Sequence, residues 1–130
     1  MPTTAPSAAR SASRRVLVVD DNEDAAESLA ALLRIFGHEV GVAFDGEQAL
    51  ALAPTLKPDL VLLDLGMPRM DGHEVARRMR AAPWGTAMKI VALSGFGDGA
   101  DRLRSLEAGC NDHLVKPVSP TDLEAVLASA

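Results

Sequence analysis

Asp64 closes the run Asp59-Leu60-Val61-Leu62-Leu63-Asp64, and an apolar strand that ends in one carboxylate carries it to one edge of a sheet. Three other apolar runs end in polar groups. Val16-Leu17-Val18-Val19 leads into Asp20-Asp21, Ile90-Val91-Ala92-Leu93 into Ser94, and Leu114-Val115 into Lys116-Pro117. Ligands of open parallel sheets collect outside the carboxyl ends of the strands, so three acids, one hydroxyl and one ammonium are aimed at a single edge. Hard carboxylate oxygens suit Mg²⁺, which is held by one or two carboxylates, waters and a phosphate. Lys116 is a point charge for phosphate oxygens, Ser94 a neutral donor, and the amides of the Asp64-Leu65 and Ser94-Gly95 turns are further donors. Gly95 leaves room for a phosphoryl group. The set therefore reads as a divalent-cation site that holds a phosphoryl group on Asp64.

Each residue also has a plainer reading. Asp20-Asp21 is equally an N-cap pair for the next helix, Ser94 a strand-end hydroxyl, and Lys116 an exposed lysine before a proline. Asp64 is harder to explain that way, because Leu65-Gly66-Met67-Pro68 follows it and supplies no helix to cap.

The elements that must position these groups alternate. Ala25, Leu29, Leu32, Leu33 and Phe36 lie on one helical face that Gly37 can end, and a strand is expected at Glu39 to Ala43. Asp45 is a candidate N-cap for a helix over Gly46 to Ala53, with Pro54 and Pro58 bracketing a loop. Leu60 to Leu63 has the unbroken apolar character of a strand buried on both faces. Asp71-Gly72 opens a helix to Ala81, broken by Pro83-Trp84-Gly85. A strand at Lys89 to Leu93, a Gly-rich loop at Gly95 to Gly99, a helix near Asp101 to Ala108 and a strand at His113 to Val115 follow. Ser119-Pro120 caps and starts the last helix, to about Ala128. Strands separated by single helices argue a parallel sheet covered on both faces, but the residues alone leave the strand order open.

The 130 residues suit one domain with a core of its own. Residues 1–14 are rich in Ala, Ser, Pro and Arg without an acid and read as a flexible tail or linker. Such a start also suits an organelle transit peptide. With Arg10, Arg14 and Arg15 set aside from the 13 basic residues and all 18 acids kept, residues 16–130 carry ten bases against 18 acids. Direct nucleic-acid binding by this domain is not expected. Cys110 is the only cysteine, which favours a reducing, cytoplasmic setting, and no apolar stretch approaches the ~20 residues of a membrane span.

Four segments together resemble the receiver domains of two-component response regulators: Val18-Val19-Asp20-Asp21-Asn22, Leu62 through Gly72, Ala92-Leu93-Ser94-Gly95 and Leu114-Val115-Lys116-Pro117. The resemblance covers residues 15–129 of a receiver domain expected over 15–130, and implies a flavodoxin-like α/β fold, a five-stranded parallel sheet in order 2-1-3-4-5 with five helices on its two faces. It implies that Asp64 takes a phosphoryl group from the phosphohistidine of a histidine kinase or histidine phosphotransfer protein. By the same resemblance Asp20, Asp21, Asp64 and the Gly66 carbonyl hold Mg²⁺, and Leu65, Ser94, Gly95 and Lys116 bind the phosphoryl group. Ser94 and His113 would be the switch pair, His113 standing where an aromatic residue is frequent, its ring partly exposed at rest and turning inward on activation. The surface of the fourth helix, fifth strand and fifth helix would then engage a downstream protein whose identity is unknown. A monomer is expected, catalysing only its own phosphorylation and dephosphorylation. The residues after Lys116 leave no room for a DNA-binding helix-turn-helix, so the expectation is a stand-alone regulator or the receiver segment of a hybrid histidine kinase.

The rival is a Mg²⁺-dependent phosphatase with an aspartate nucleophile. That chemistry needs a second acid two residues after the nucleophile, where this chain has Gly66. Gly95-Phe96-Gly97-Asp98-Gly99-Ala100 formally fits a dinucleotide fingerprint but follows the fourth expected strand instead of the first. His38 and His73 are expected at surface helix flanks, and Cys110 as a partly buried filler.

Overall fold

A computed structural model describes residues 13–67, 71–95 and 99–129. Residues 1–12 of the expected tail, 68–70 of the Asp64 motif, 96–98 of the Gly-rich loop and 130 lie outside the described residues. Five strands, β1 (Arg15–Val19), β2 (Glu39–Ala43), β3 (Leu60–Asp64), β4 (Lys89–Ser94) and β5 (Asp112–Val115), alternate with α1 (Glu23–Ile35), α2 (Gly46–Leu56), α3 (Gly72–Ala81), α4 (Gly99–Glu107) and α5 (Pro120–Ser129). All strand pairs are parallel, in the order β2-β1-β3-β4-β5. This is the flavodoxin-like architecture expected.

Every residue of β3 is buried. Alternation sends Val61 and Leu63 to one face, against Ala49, Ala53, Val75, Ala76 and Met79 of α2 and α3. Leu60 and Leu62 face the other way, against Ala26 and Leu33 of α1 and Leu123, Val126 and Leu127 of α5. A central strand can be this apolar only because both faces are covered.

Helix starts follow local chemistry. Asn22 caps α1, its side chain accepting the Ala25 N–H at 3.0 Å, so neither Asp20 nor Asp21 serves as the cap. Gly37 ends that helix at φ +94°, a backbone region open to glycine at little cost. Asp45 and Asp71 cap α2 and α3 through the N–H groups of Gln48 and Glu74. α2 runs on through Pro54 to Leu56, where a loop was expected. The proline sits in the last turn, where it removes one intrahelical donor, while Ala53 still accepts the Lys57 N–H at 2.8 Å.

Three further expectations are corrected. His38 and His73 are buried, at 9% and 6% exposure, not on the surface: the Arg14 main chain covers His38, and His73, in the first turn of α3, faces the Asp64 pocket. Cys110 is fully inside, and burial pushes its thiol up to about 11, which makes it inert at neutral pH. Ser13 and Arg14, read as tail, are tied to the sheet edge: Ser13 Oγ donates to the Gly37 carbonyl (3.1 Å), the Arg14 N–H to His38 Nδ1 (2.9 Å), and the Glu39 N–H to the Arg14 carbonyl (3.0 Å).

Burial, reinforced by the Arg14 charge, holds His38 below its ordinary pKa. The unfolded chain therefore takes up a proton that the folded chain refuses, so this contribution to stability is present above about pH 6.5 and is lost as pH falls toward the folded value. We predict that His38→Asn, which keeps an acceptor oxygen but does not titrate, flattens the urea midpoint between about pH 7 and 5. An unchanged slope would assign the pH dependence to other groups.

Candidate functional site

Because β1 pairs with β3 at Val19 and Leu63, the residues that follow emerge side by side. One oxygen each of Asp20, Asp21 and Asp64 lies within 4.8 Å of the others. Asp20 and Asp64 are buried and Asp21 is exposed. Lys116, at the end of β5, reaches across with Nζ 3.0 Å from Asp20 Oδ2 and 3.4 Å from Asp64 Oδ1. The Asn22 N–H donates to Asp20 Oδ1 (3.0 Å) and the Gly66 N–H to Asp64 Oδ1 (3.1 Å).

Burial raises the Asp64 pKa and the Asp20 charge adds to it, against the opposing Gly66 N–H and Lys116. Burial by itself would lower Lys116. Its hydrogen bond to Asp20 and the charges of Asp64 and Asp20 outweigh that, and the ammonium is held above its ordinary value. Two of the three carboxylates, Asp20 and Asp64, thus share one ammonium. A set of hard oxygens with this surplus of negative charge fits a divalent cation.

Asp64, Leu65, Gly66, Ser94, Gly95 and Lys116 line one pocket of about 260 Å³, with Asp71, His73 and Arg104 on its wall. That is below the roughly 300–1,000 Å³ of ordinary small-molecule sites, a size that suits a phosphoryl group with water better than a nucleotide. A larger cleft of about 580 Å³ lies at the opposite edge of the sheet, around Arg14, Lys57 and Trp84, and contains none of the clustered acids. The wall positions of His73 and Arg104 had no sequence signal, since they depend on how α3 and α4 sit beside the sheet.

The Leu65 N–H donates to the Leu93 carbonyl (3.0 Å), because the β3–β4 ladder continues one residue past Asp64. The His113 ring differs from its expected resting position. His113 is 5% exposed, with its ring already inward and Nε2 2.8 Å from Ser94 Oγ. A buried imidazole is stabilised by such a partner. At Gly95 the open space is as expected: an added Cβ would meet nothing within 4 Å among the described residues.

A doubly wound parallel sheet with an acid trio and one lysine at its carboxyl edge defines a phosphoacceptor module. The chain belongs to the response regulator receiver domain family, whose sequence pattern matches residues 16–128. It is 43% identical over 112 residues to the DNA-binding response regulator MtrA of Mycolicibacterium paratuberculosis, across 86% of this chain and 48% of that one. The chain spans about half the length of the curated relatives it matches. Its fold superposes on Vibrio cholerae chemotaxis protein CheY4 with a TM-score of 0.86 at 29% identity, covering 90% of this chain and 98% of that one. The receiver domain of sensor histidine kinase PA1611 from Pseudomonas aeruginosa gives 0.82 at 33% identity, covering 90% and 96%, with a magnesium ion coordinated in its active-site cleft. The chain is thus a phosphoacceptor domain of two-component signalling, and the phosphatase reading is not favoured.

The approach of α3 to β3 is close enough to test. A Cβ on Gly72 would lie 2.6 Å from both the Asp64 carbonyl oxygen and Leu65 Cα, backbone atoms that can yield only by moving the end of β3. We predict that Gly72→Ala lowers stability by about 1–3 kcal/mol in urea unfolding, while Gly95→Ala stays within about 0.5 kcal/mol. Equal stabilities would show that this approach is not a constraint.

Proposed function

We propose that Asp64 accepts the phosphoryl group from the phosphohistidine of a histidine kinase or histidine phosphotransfer protein, with Lys116 and Ser94 as the other catalytic groups. The observation that carries the assignment is the buried Asp64 carboxylate, 3.4 Å from Lys116 Nζ and facing the small pocket. In the reaction an Asp64 oxygen attacks phosphorus in line, the new O–P bond forms, and the P–N bond breaks to return the imidazole. Lys116 offers its charge to the transferring oxygens and Ser94 a hydroxyl proton. Asp20, Asp21, Asp64 and the Gly66 carbonyl would hold Mg²⁺, which when bound neutralises charge on the carboxylates and phosphoryl oxygens. Gly66 stands where a phosphatase would need its second acid, which supports a long-lived acyl phosphate and self-catalysed chemistry instead of turnover.

Ser94 and His113 form the switch in this reading, passing the event to β5. Leu103 and Leu106 of α4 and Val115 of β5 are exposed, at 55%, 57% and 39%, so the α4-β5-α5 surface carries apolar side chains that suit a downstream protein. The DNA binding in the name of a relative belongs to that longer protein. Residues 15–130 form the receiver, acting as a monomer, and its acidic balance supports protein partners over nucleic acid. The residues before Ser13 serve as a tail or linker. Among the described residues no helix is long and apolar enough to cross a membrane, which is compatible with a cytoplasmic site of action.

With acetyl phosphate as donor, wild type should gain a hydroxylamine-labile phosphoryl group and Asp64→Asn none, because an amide is not a nucleophile. Asp21→Ala should lose most of the labelling and Asp45→Ala, whose acid only caps α2, should not. Persistent labelling of Asp64→Asn would refute the assignment.

Mg²⁺ should also raise the thermal midpoint, with a gain of about 2.7 kcal/mol at ~100 times its dissociation constant. If Asp21→Ala with Asp64→Asn shows the same rise, the clustered acids are not the site.

A further inference from the structure

Ser94 Oγ and His113 Nε2 are 2.8 Å apart, and both side chains are buried, at 7% and 5% exposure. A serine hydroxyl has one proton to give and lone pairs to receive, while a neutral imidazole nitrogen is donor or acceptor according to tautomer. Two opposite polarities of this bond therefore exist, and they exclude each other.

We infer, resting on the phosphoacceptor reading above, that a phosphoryl group on Asp64 fixes the polarity: Ser94 gives its only proton to a phosphoryl oxygen, and His113 Nε2–H donates to Ser94 Oγ. His113 is then a positioning residue that selects the orientation of the Ser94 hydroxyl. Ser94 lines the same pocket as Asp64 and Lys116. His113 does not line it. Its cleft, about 160 Å³, is shared with Arg102, Ser105, Leu106, Asn111 and Asp112, so its influence on the phosphoryl group must pass through Ser94. The ring is also well placed to hold a fixed direction: Ala92 pairs with His113 across β4 and β5, and Asp112 Oδ1 accepts the His113 main-chain N–H at 2.8 Å.

The proton count closes from either starting polarity. If Nε2 begins as acceptor, it gains one proton from solvent as Nδ1 releases one, and the ring stays neutral. If Nε2 already carries the proton, the hydroxyl only rotates. The end state is the same, and it ties the tautomer of a side chain outside the phosphate pocket to occupancy of that pocket.

The test uses the whole chain labelled with ¹⁵N-histidine, with beryllium trifluoride and Mg²⁺ as a stable stand-in for the phosphoryl group. Bound fluoride signals in ¹⁹F spectra that vanish in Asp64→Asn report occupancy, and ¹⁵N–¹H spectra report which ring nitrogen of His113 is protonated. The expected result is a protonated, pyrrole-like Nε2 in the loaded protein. Bound fluoride with an unprotonated Nε2 overturns this inference alone, whereas absence of bound fluoride removes the phosphoacceptor reading and the inference with it. His113→Gln places an amide donor at the reach of Nε2 and His113→Leu places none. Beryllium trifluoride affinity should fall roughly two- to tenfold in His113→Leu, the range of one net hydrogen bond, and recover in His113→Gln. Equal losses in both variants would make the ring a packing element and sink the proposal.

Discussion

Lys116 is shared between two carboxylates that arrive on different strands, at 3.0 Å from Asp20 and 3.4 Å from Asp64, and the rest of the site depends on that sharing. At an effective dielectric of about 20, two unit charges 4 Å apart interact by about 4 kcal/mol, so three acids held this close oppose the fold unless something answers them. One half-exposed ammonium, partly screened by water, answers only in part. The surplus is the useful property, because it leaves a site that gains from any cation placed between the oxygens. Function here is drawn from a local loss of stability.

The apolar body of the domain absorbs that loss. β3 is sealed on both faces, and the polar groups that matter stand just beyond the last apolar residue of each strand. Away from the acids, the Arg80 guanidinium donates to the carbonyls of Gly109, Gly85 and Met88 and pairs with the Asn111 side chain. The entry edge of the sheet is therefore held by a neutral-acceptor network, while the exit edge carries unbalanced charge. Rigidity at one end and electrostatic tension at the other is a workable arrangement for a domain that must respond to a small charged group.

In the proposed reading, the Ser94–His113 contact would give that response a direction. Lys116 and Ser94 are joined through the main chain as well, the Lys116 N–H donating to the Ser94 carbonyl at 2.8 Å. On the reading proposed above, changes at the pocket would reach β5 by a hydrogen-bonded backbone and a buried side-chain pair, next to the exposed leucines of α4. A charge added at one site can bias two arrangements of such an element.

Much of this was legible in the chain. Apolar runs closed by Asp20, Asp64, Ser94 and Lys116 announced the strands and their polar ends, and Asp45, Asp71 and Ser119 announced helix starts, because a cap or an apolar period acts over a few residues and is written locally. Strand order came from family resemblance, since periodicity says nothing about which strand lies beside which. The tertiary structure alone decided that His38, His73 and His113 are inside, that Leu65 gives its amide to β4, and that Pro54 lies within α2. It also decided that Lys116 meets an acid 96 residues earlier. Such outcomes rest on contacts between segments distant along the chain, whose free energies depend on packing and burial that no local pattern encodes.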